Sequence, residues 1–500
     1  MNRNAITGLT ALPLLAASAA QAADNRQNVL YIMTDQQSYY MISAITEALG
    51  NDPYARNPYF KTPNLDRLVR SGYTFSNCYA GHPVSGPSRF ALLTGEAPNS
   101  FGMTGNFSPG GEAGERMLET IEARAMGSLF RKAGYVTCYA GKVHLPWANG
   151  HSGKGLIYEP PYRYGFDEYL IKKDRDEMAE KGAEFISGYK GDKPFLLFLS
   201  FMNPHDICMA QLLFNDKQLS DFKADEIEMW ARENQLRWRN VYRSIDPAAF
   251  DGDELARLPF NTAETDRFPA VKLKRPYGND YRKTRAHIWF YYRLMEQVDK
   301  EIGVVLDALE ASPCKDNTIV VFTSDHGEMA GSHGAVGKNL PYQECQKVPF
   351  IFAGKGIRQG VIDNTTPVCN GWDLLPTLLD LAGLEIPKEL NGVSLANTLR
   401  TGAPVNRQYL YYETVNSYGI LDGGRYKYTR FGLPEDGVNG VESLFDLRND
   451  PGELHNLVGD KAYAAKLDEL RKVLKVEMAR FGTSWEVLDR SRDNSKSKNK

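Results

Sequence analysis

Six short apolar runs constrain most strongly what this chain can fold into: NVLYIMTD, TFSNCYA, YVTCYAGK, PFLLFLSF, IVVFTSDHG and VPFIFAG. They are rich in β-branched and aromatic residues, bounded by polar or glycine-containing turns, and separated by helix-length segments. A strand packed on one side only would alternate apolar and polar residues. These runs are apolar throughout, which predicts strands covered on both faces, hence a large, mostly parallel sheet in an α/β sandwich. TPNLDRLVRSG, MGSLFRKAG, RAHIWFYYRLMEQVDKEIGVVLDALEAS and NGWDLLPTLLDLAG fit between them as helices, several with a glycine at the C-terminal position.

The rhythm fails twice. Residues 206–280 are crowded with charges, aromatics and prolines and read as an insertion shaping access to the active edge, with Trp230, Trp238 and Tyr281 as aromatic platforms unless they are core. After about residue 400, QYLYYETV, GILDGGRYKYTRF and ESLFDL predict a small antiparallel sheet turning at Gly423-Gly424, followed by a helix around AYAAKLDELRKVLKVEMARF. The expected organisation is a signal peptide at 1–23, a catalytic α/β domain at 24–400, an α+β subdomain at 401–487 and a disordered tail at 488–500.

The signal reading rests on Arg3, a short alanine-rich apolar segment, and small residues at Ala20 and Ala22 ahead of Asp24. That segment is too short for a bilayer anchor, and the expected location is periplasmic or secreted. With a formal net charge of −3 and 42% hydrophobic residues, the chain is an ordinary globular protein with no nucleic-acid footprint and no membrane partner. Six cysteines without a CxxC pair make no disulfide scaffold, although an exported protein could hold a bridge or two.

Ligands of open α/β sheets sit at the carboxyl ends of the strands. Following each run to its end gives Asp35 and Gln36, then Lys142 and His144, then His205, then Asp325 and His326. Any one of these is more often a cap or an ion-pair partner, but four strand ends in agreement mark a site. Asp35, Gln36, Asp325 and His326 could together hold a hard cation, or the two aspartates could cap the turns that follow their strands. Arg89, Lys142 and Lys338, converging on one pocket, would select a tetrahedral oxyanion such as sulfate or phosphate.

Ser85-Gly86-Pro87-Ser88-Arg89 followed by FALLTG resembles the first signature of the type I sulfatases, and GYVTCYAGKVH resembles the second. TSDHG with the later Lys338, TPNLDRLVRSG, DLLPTLLDLAG, NGVSL and ESLFDLRNDPGELHNL are further similarities, so the likeness spans most of the chain. It implies the alkaline phosphatase-like fold and a nucleophile made by oxidising Ser85 to formylglycine. A serine there implies a radical-type sulfatase-maturing enzyme as partner, with Ser88 part of the motif it reads. The implied metal ligands are Asp35, Gln36, modified Ser85, Asp325 and His326, and the ion is Ca²⁺ in preference to Mg²⁺. Gln36 and His326 depart from the more frequent Asp and Asn. Arg89, Lys142 and Lys338 would hold nucleophile and sulfate, His144 would bind or deprotonate the formylglycine hydroxyl, and His205 would protonate the leaving oxygen.

The expected activity is hydrolysis of sulfate esters on carbohydrates such as glycosaminoglycan, mucin or algal oligosaccharides. The rivals are a phosphate or phosphonate ester hydrolase of the same superfamily and a non-catalytic protein that binds sulfated glycans.

Overall fold

β1 (Asn28–Asp35) shows why the strands read as continuous apolar runs. Val29, Tyr31 and Met33 enter one core, while Leu30 and Ile32 enter a second on the opposite face, so the whole strand is buried. The computed structural model describes residues 26–148 except 51, 53, 56 and 58, together with 159–171, 177–208, 281–431 and 441–484. The expected signal peptide, the tail, nearly all of the 206–280 insertion with Trp230 and Trp238, and the Tyr281 side chain lie outside the described residues.

β1 is central in a nine-stranded sheet with β2 (Gly72–Tyr79), β3 (Val136–Gly141), β4 (Glu168–Tyr169), β5 (Phe195–Pro204), β6 (Thr318–Ser324), β7 (Lys347–Ala353), β8 (Val361–Asp363) and β9 (Val368–Cys369). The order is β4-β3-β5-β1-β6-β7-β2-β8, with β9 also beside β2. Pairing is parallel except at β7, which runs against both β6 and β2. The main helices are α1 (Pro63–Ser71), α2 (Ser85–Thr94), α3 (Gly111–Arg124), α4 (Met126–Lys132), α5 (Met178–Gly188), α6 (Tyr281–Glu310) and α7 (Asn370–Leu381). Residues of α1, α5 and α6 pack with Leu30 and Ile32, and those of α2, α3, α4 and α7 with Val29, Tyr31 and Met33. This is the α/β sandwich expected from the sequence.

Gly134 and Gly383 follow α4 and α7 in left-handed conformations, at φ 85° and 69°, as helix-ending glycines do. Gly72, after α1, does not. Its φ of −135° already belongs to β2, and glycine is needed because a Cβ would lie 2.4 Å from the Phe352 carbonyl oxygen.

A second sheet is antiparallel and ordered β10 (Tyr409–Glu413), β11 (Ser417–Asp422), β12 (Tyr426–Phe431) and β13 (Glu442–Asp446), with α8 (Ala464–Arg480) against it. Gly423 and Gly424, at φ 55° and 73°, form its expected turn. Trp372 of α7 joins the two sheets: it is fully buried, and its Nε1 donates to the Tyr411 carbonyl at 2.9 Å. All six cysteines are free thiols, so the bridge that export would permit is not formed. Among the described residues no helix is long and apolar enough to cross a membrane.

Candidate active site

The segment GHPVSGPSRF becomes a loop entering α2, with Ser85 as the first helical residue. Val84 cannot cap the helix with its side chain, and the Gly86 N–H instead donates to Asn106 Oδ1 at 2.8 Å. A Cβ at position 86 would stand 2.9 Å from that same oxygen. Pro87 fits the first turn, where an N–H would have no intrahelical acceptor. Left-handed Gly95, at φ 70°, ends the helix. Ser85, Ser88 and Arg89 are thereby held at no more than 1% exposure beneath the carboxyl edge of the large sheet.

Asp35 is the last residue of β1, and Asp325 follows β6 directly. Gln36 turns the chain away in a left-handed conformation, φ 71°, a strained state for a side-chain-bearing residue. Its N–H donates to Asp325 Oδ1 at 3.0 Å, which ties the two strand ends together.

Arg89 bridges the two carboxylates, with Nη2 2.7 Å from Asp35 Oδ2 and Nε 3.0 Å from Asp325 Oδ2. Its Nη1 donates to the Lys142 carbonyl at 2.9 Å and to Ser200 Oγ at 2.7 Å. The guanidinium is therefore committed to protein partners and organises the carboxylates. Lys142 Nζ is 2.7 Å from Asp35 Oδ2, and His205 Nε2 is 3.8 Å from Asp35 Oδ1. Lys338 Nζ donates to Gln36 Oε1 at 2.8 Å and to Ser85 Oγ at 3.3 Å. His326 Nε2 lies 3.0 Å from Ser85 Oγ, and its Nδ1 lies 2.9 Å from the Gly327 carbonyl. A carbonyl only accepts, so Nδ1 carries the proton and the Nε2 lone pair faces Ser85.

Burial raises Asp35, but the Lys142 ammonium and the Arg89 guanidinium beside it more than offset that and hold the carboxyl well below its ordinary range. Burial and then the neighbouring Asp35 push Asp325 up to about 7, a clash of two buried carboxylates that only partly finds relief in Arg89. Burial and then the flanking cations Lys142 and Arg89 depress His144 to about 3. Burial, Lys142 and Lys338 likewise hold His205 well below its usual value, so both imidazoles are neutral in the free protein. His144 is left-handed at φ 49°, and its Nδ1 is buried without a partner.

Asp35 Oδ1 is also buried without a hydrogen-bond partner. Ligand atoms of Asp35, Asp325 and His326 lie within 4.8 Å of one another. An orphaned carboxylate oxygen, a strained carboxylate pair and a lone pair aimed inward fit a divalent cation, with Gln36 Oε1 on the same side through its Lys338 bond. The structure thus brings Asp35, Gln36, Ser85, Arg89, Lys142, His205, Asp325, His326 and Lys338 into one contact network and sets His144 at the same strand end.

Sequence reasoning missed several members. Ser200, which takes Arg89 Nη1, is visible in hindsight as the polar residue within the apolar run of β5. Glu328 and Cys208 both contact the Gln36 amide, and the Tyr291 hydroxyl donates to the Gln36 carbonyl at 2.7 Å. No local pattern announces them, because Gln36 lies 172, 255 and 292 positions from Cys208, Tyr291 and Glu328. Ser88, read as part of a maturation motif, also has a place in the folded protein: its Oγ donates to the Asp325 carbonyl at 2.5 Å.

The family model described as Sulfatase matches residues 27–384, and one described as N-sulphoglucosamine sulphohydrolase, C-terminal, matches residues 331–480. A Delta 4,5-hexuronate-2-O-sulfatase of Bacteroides thetaiotaomicron is 30% identical over 95% of this chain and 93% of its own. An N-acetylglucosamine-6-O-sulfatase of the same organism is 26% identical over 93% of this chain and 89% of its own. The solved structure of a 2-O GAG sulfatase superposes with a TM-score of 0.69 at 26% identity, covering 94% of each chain. With the family match spanning most of the chain and the site geometry agreeing, the protein belongs to the sulfatase family and is a sulfuric ester hydrolase.

Proposed function

We propose that this protein is an exported sulfatase that removes sulfate from carbohydrate, using a formylglycine made from Ser85. The observation that carries the reading is the convergence of His326 Nε2 and Lys338 Nζ on Ser85 Oγ, at 3.0 and 3.3 Å, beside the buried Asp35 and Asp325 pair. The relatives named above act on hexuronate 2-O-sulfate and N-acetylglucosamine 6-O-sulfate, which supports a sugar sulfate ester, and the segment at residues 1–23 supports export.

Asp35, Gln36, Asp325, His326 and the modified residue 85 would hold Ca²⁺, in preference to Mg²⁺. When present, the cation supplies positive charge for the sulfate oxygens, and formylglycine supplies a geminal diol whose second hydroxyl allows sulfate to be released. Lys142 and Lys338 stabilise negative charge on the transferring group from fixed positions. Arg89 spends its donors on Asp35, Asp325, Ser200 and the Lys142 carbonyl, and so acts by holding the carboxylates and Lys142 in register. His144 takes the proton from the hydroxyl at residue 85, and half-buried His205 gives one to the departing sugar oxygen. Burial, together with Lys142 and Lys338, keeps this imidazole neutral, and an anionic ester entering between His205 and the two lysines counters the lysines' share. Ser85 and Ser88 are inaccessible once folded, so a radical-type maturing enzyme would act before the fold closes.

The test is a panel of defined sulfated mono- and disaccharides, with a phosphate and a phosphonate ester alongside, assayed on protein co-expressed with a maturing enzyme. Release of sulfate from a sugar, lost in Ser85→Ala, is the expected result. Turnover of the phosphorus esters with none of the sulfated sugars would favour the rival hydrolase. Binding of sulfated sugars without release would favour a lectin-like protein.

A further inference from the structure

Gln36 stands where a carboxylate would give the cation site more charge, and an amide is useful to a cation only when its oxygen faces it. We infer that Glu328 is a positioning residue that fixes the Gln36 amide with Oε1 toward the cation site. Glu328 is 1% exposed and two residues beyond His326. Its Oε2 accepts from Gln36 Nε2 at 2.5 Å. Its Oε1 accepts from the Ala330 N–H at 3.2 Å and the Gly337 N–H at 2.5 Å, and lies 3.6 Å from His287 Nε2. A carboxylate with backbone donors on one oxygen and an amide on the other can only accept.

On the opposite side of Gln36, Lys338 Nζ is 2.8 Å from Oε1, and an ammonium can only donate. The two partners agree on one orientation. Rotating the amide by half a turn would set oxygen against oxygen at Glu328 and donor against donor at Lys338. Because Glu328 also binds the N–H of Gly337, the residue before Lys338, one carboxylate orders both the Gln36 oxygen and the start of the segment that delivers the lysine. The negative charge missing at position 36 stands one hydrogen bond further from the ion.

The inference rests on the cation-site reading, and calorimetric titration of Ca²⁺ into the chelator-stripped full-length protein separates the two. Wild type should bind. Glu328→Gln places an NH₂ against Gln36, favours the inverted amide, and should weaken Ca²⁺ by roughly 10- to 100-fold, the usual effect of removing a partner of a metal ligand. Gln36→Glu is isosteric and adds charge, yet sets two carboxylates against each other and should weaken binding too. The exchange Gln36→Glu with Glu328→Gln restores donor to acceptor and should recover about tenfold or more of the loss.

Unchanged affinity in Glu328→Gln, tighter binding in Gln36→Glu, or an exchange variant no better than Glu328→Gln alone would each overturn the inference. If Glu328→Gln does not fold, Gln36→Glu decides. A wild type that binds neither Ca²⁺ nor Mg²⁺ would overturn the cation site itself, and the inference with it.

Discussion

Lys142 and Lys427 are both buried ammonium groups at 1% side-chain exposure, each 2.7 Å from a buried carboxylate, yet their surroundings differ in kind. In the small sheet, Glu453 gives one oxygen to Lys427 and the other to the Gln343 N–H at 2.7 Å, so both are used. At the edge of the large sheet, Asp35 shares one oxygen between Lys142 and Arg89 and leaves the other buried without a hydrogen-bond partner. A closed pair fastens the C-terminal subdomain to the loop around Gln343. An open one is a place prepared for a further positive group. Saturation, rather than burial or charge, separates the structural ion pair from the functional cluster.

The sharpest break between the two regions should come from Ser85→Ala. Sulfate release should fall by roughly 10⁴-fold or more while the melting temperature hardly moves, measured by steady-state kinetics and calorimetry on one preparation. Lys427→Met should do the reverse. Leaving Glu453 buried without its partner should cost about 3–5 kcal/mol in urea unfolding, with kcat of the surviving folded fraction close to wild type.

The small sheet also offers a titration. Burial pushes Glu413 up to about 8, although it accepts from the Asn99 N–H at 2.8 Å and the Tyr411 hydroxyl at 2.9 Å. With an unfolded value near 4.3, the native state holds the extra proton between about pH 4.3 and 8, so this group's contribution is full at low pH and declines as pH rises. The slope is about 1.4 kcal/mol per pH unit within that window. Glu413→Gln should flatten the pH dependence of stability relative to wild type by that amount, and parallel profiles for the two proteins would show that Glu413 ionises normally. The smallest effect belongs to Asn106→Ala, which uncaps Gly86 beside Ser85. It should cost about 1 kcal/mol of stability and reduce activity only modestly.

Much of this was legible in the sequence because it is local. The six apolar runs became β1, β2, β3, β5, β6 and β7, and the polar residue closing a run must lie at the carboxyl edge once the sheet is parallel. That reasoning located Asp35, Lys142, His144, His205, Asp325 and His326. The antiparallel course of β7 was not legible, since direction depends on connections and not on the apolarity of a strand. Nor was the use made of Arg89, read as an anion partner from its charge. Its fork is taken up by Asp35, Asp325 and Ser200, 54, 236 and 111 positions away. Glu328 is not legible in the sequence for a similar reason, because its meaning comes from Gln36, 292 positions earlier.

In the proposed function the hydroxyl of Ser85 is a precursor and formylglycine is the working group. The most direct test is the mass of the Ser85-containing peptide, isolated from protein made with a radical-type maturing enzyme and active in sulfate release. A loss of about two mass units, the two hydrogens removed in forming the aldehyde, is the predicted result. An unmodified serine throughout a preparation that releases sulfate at full rate would contradict it.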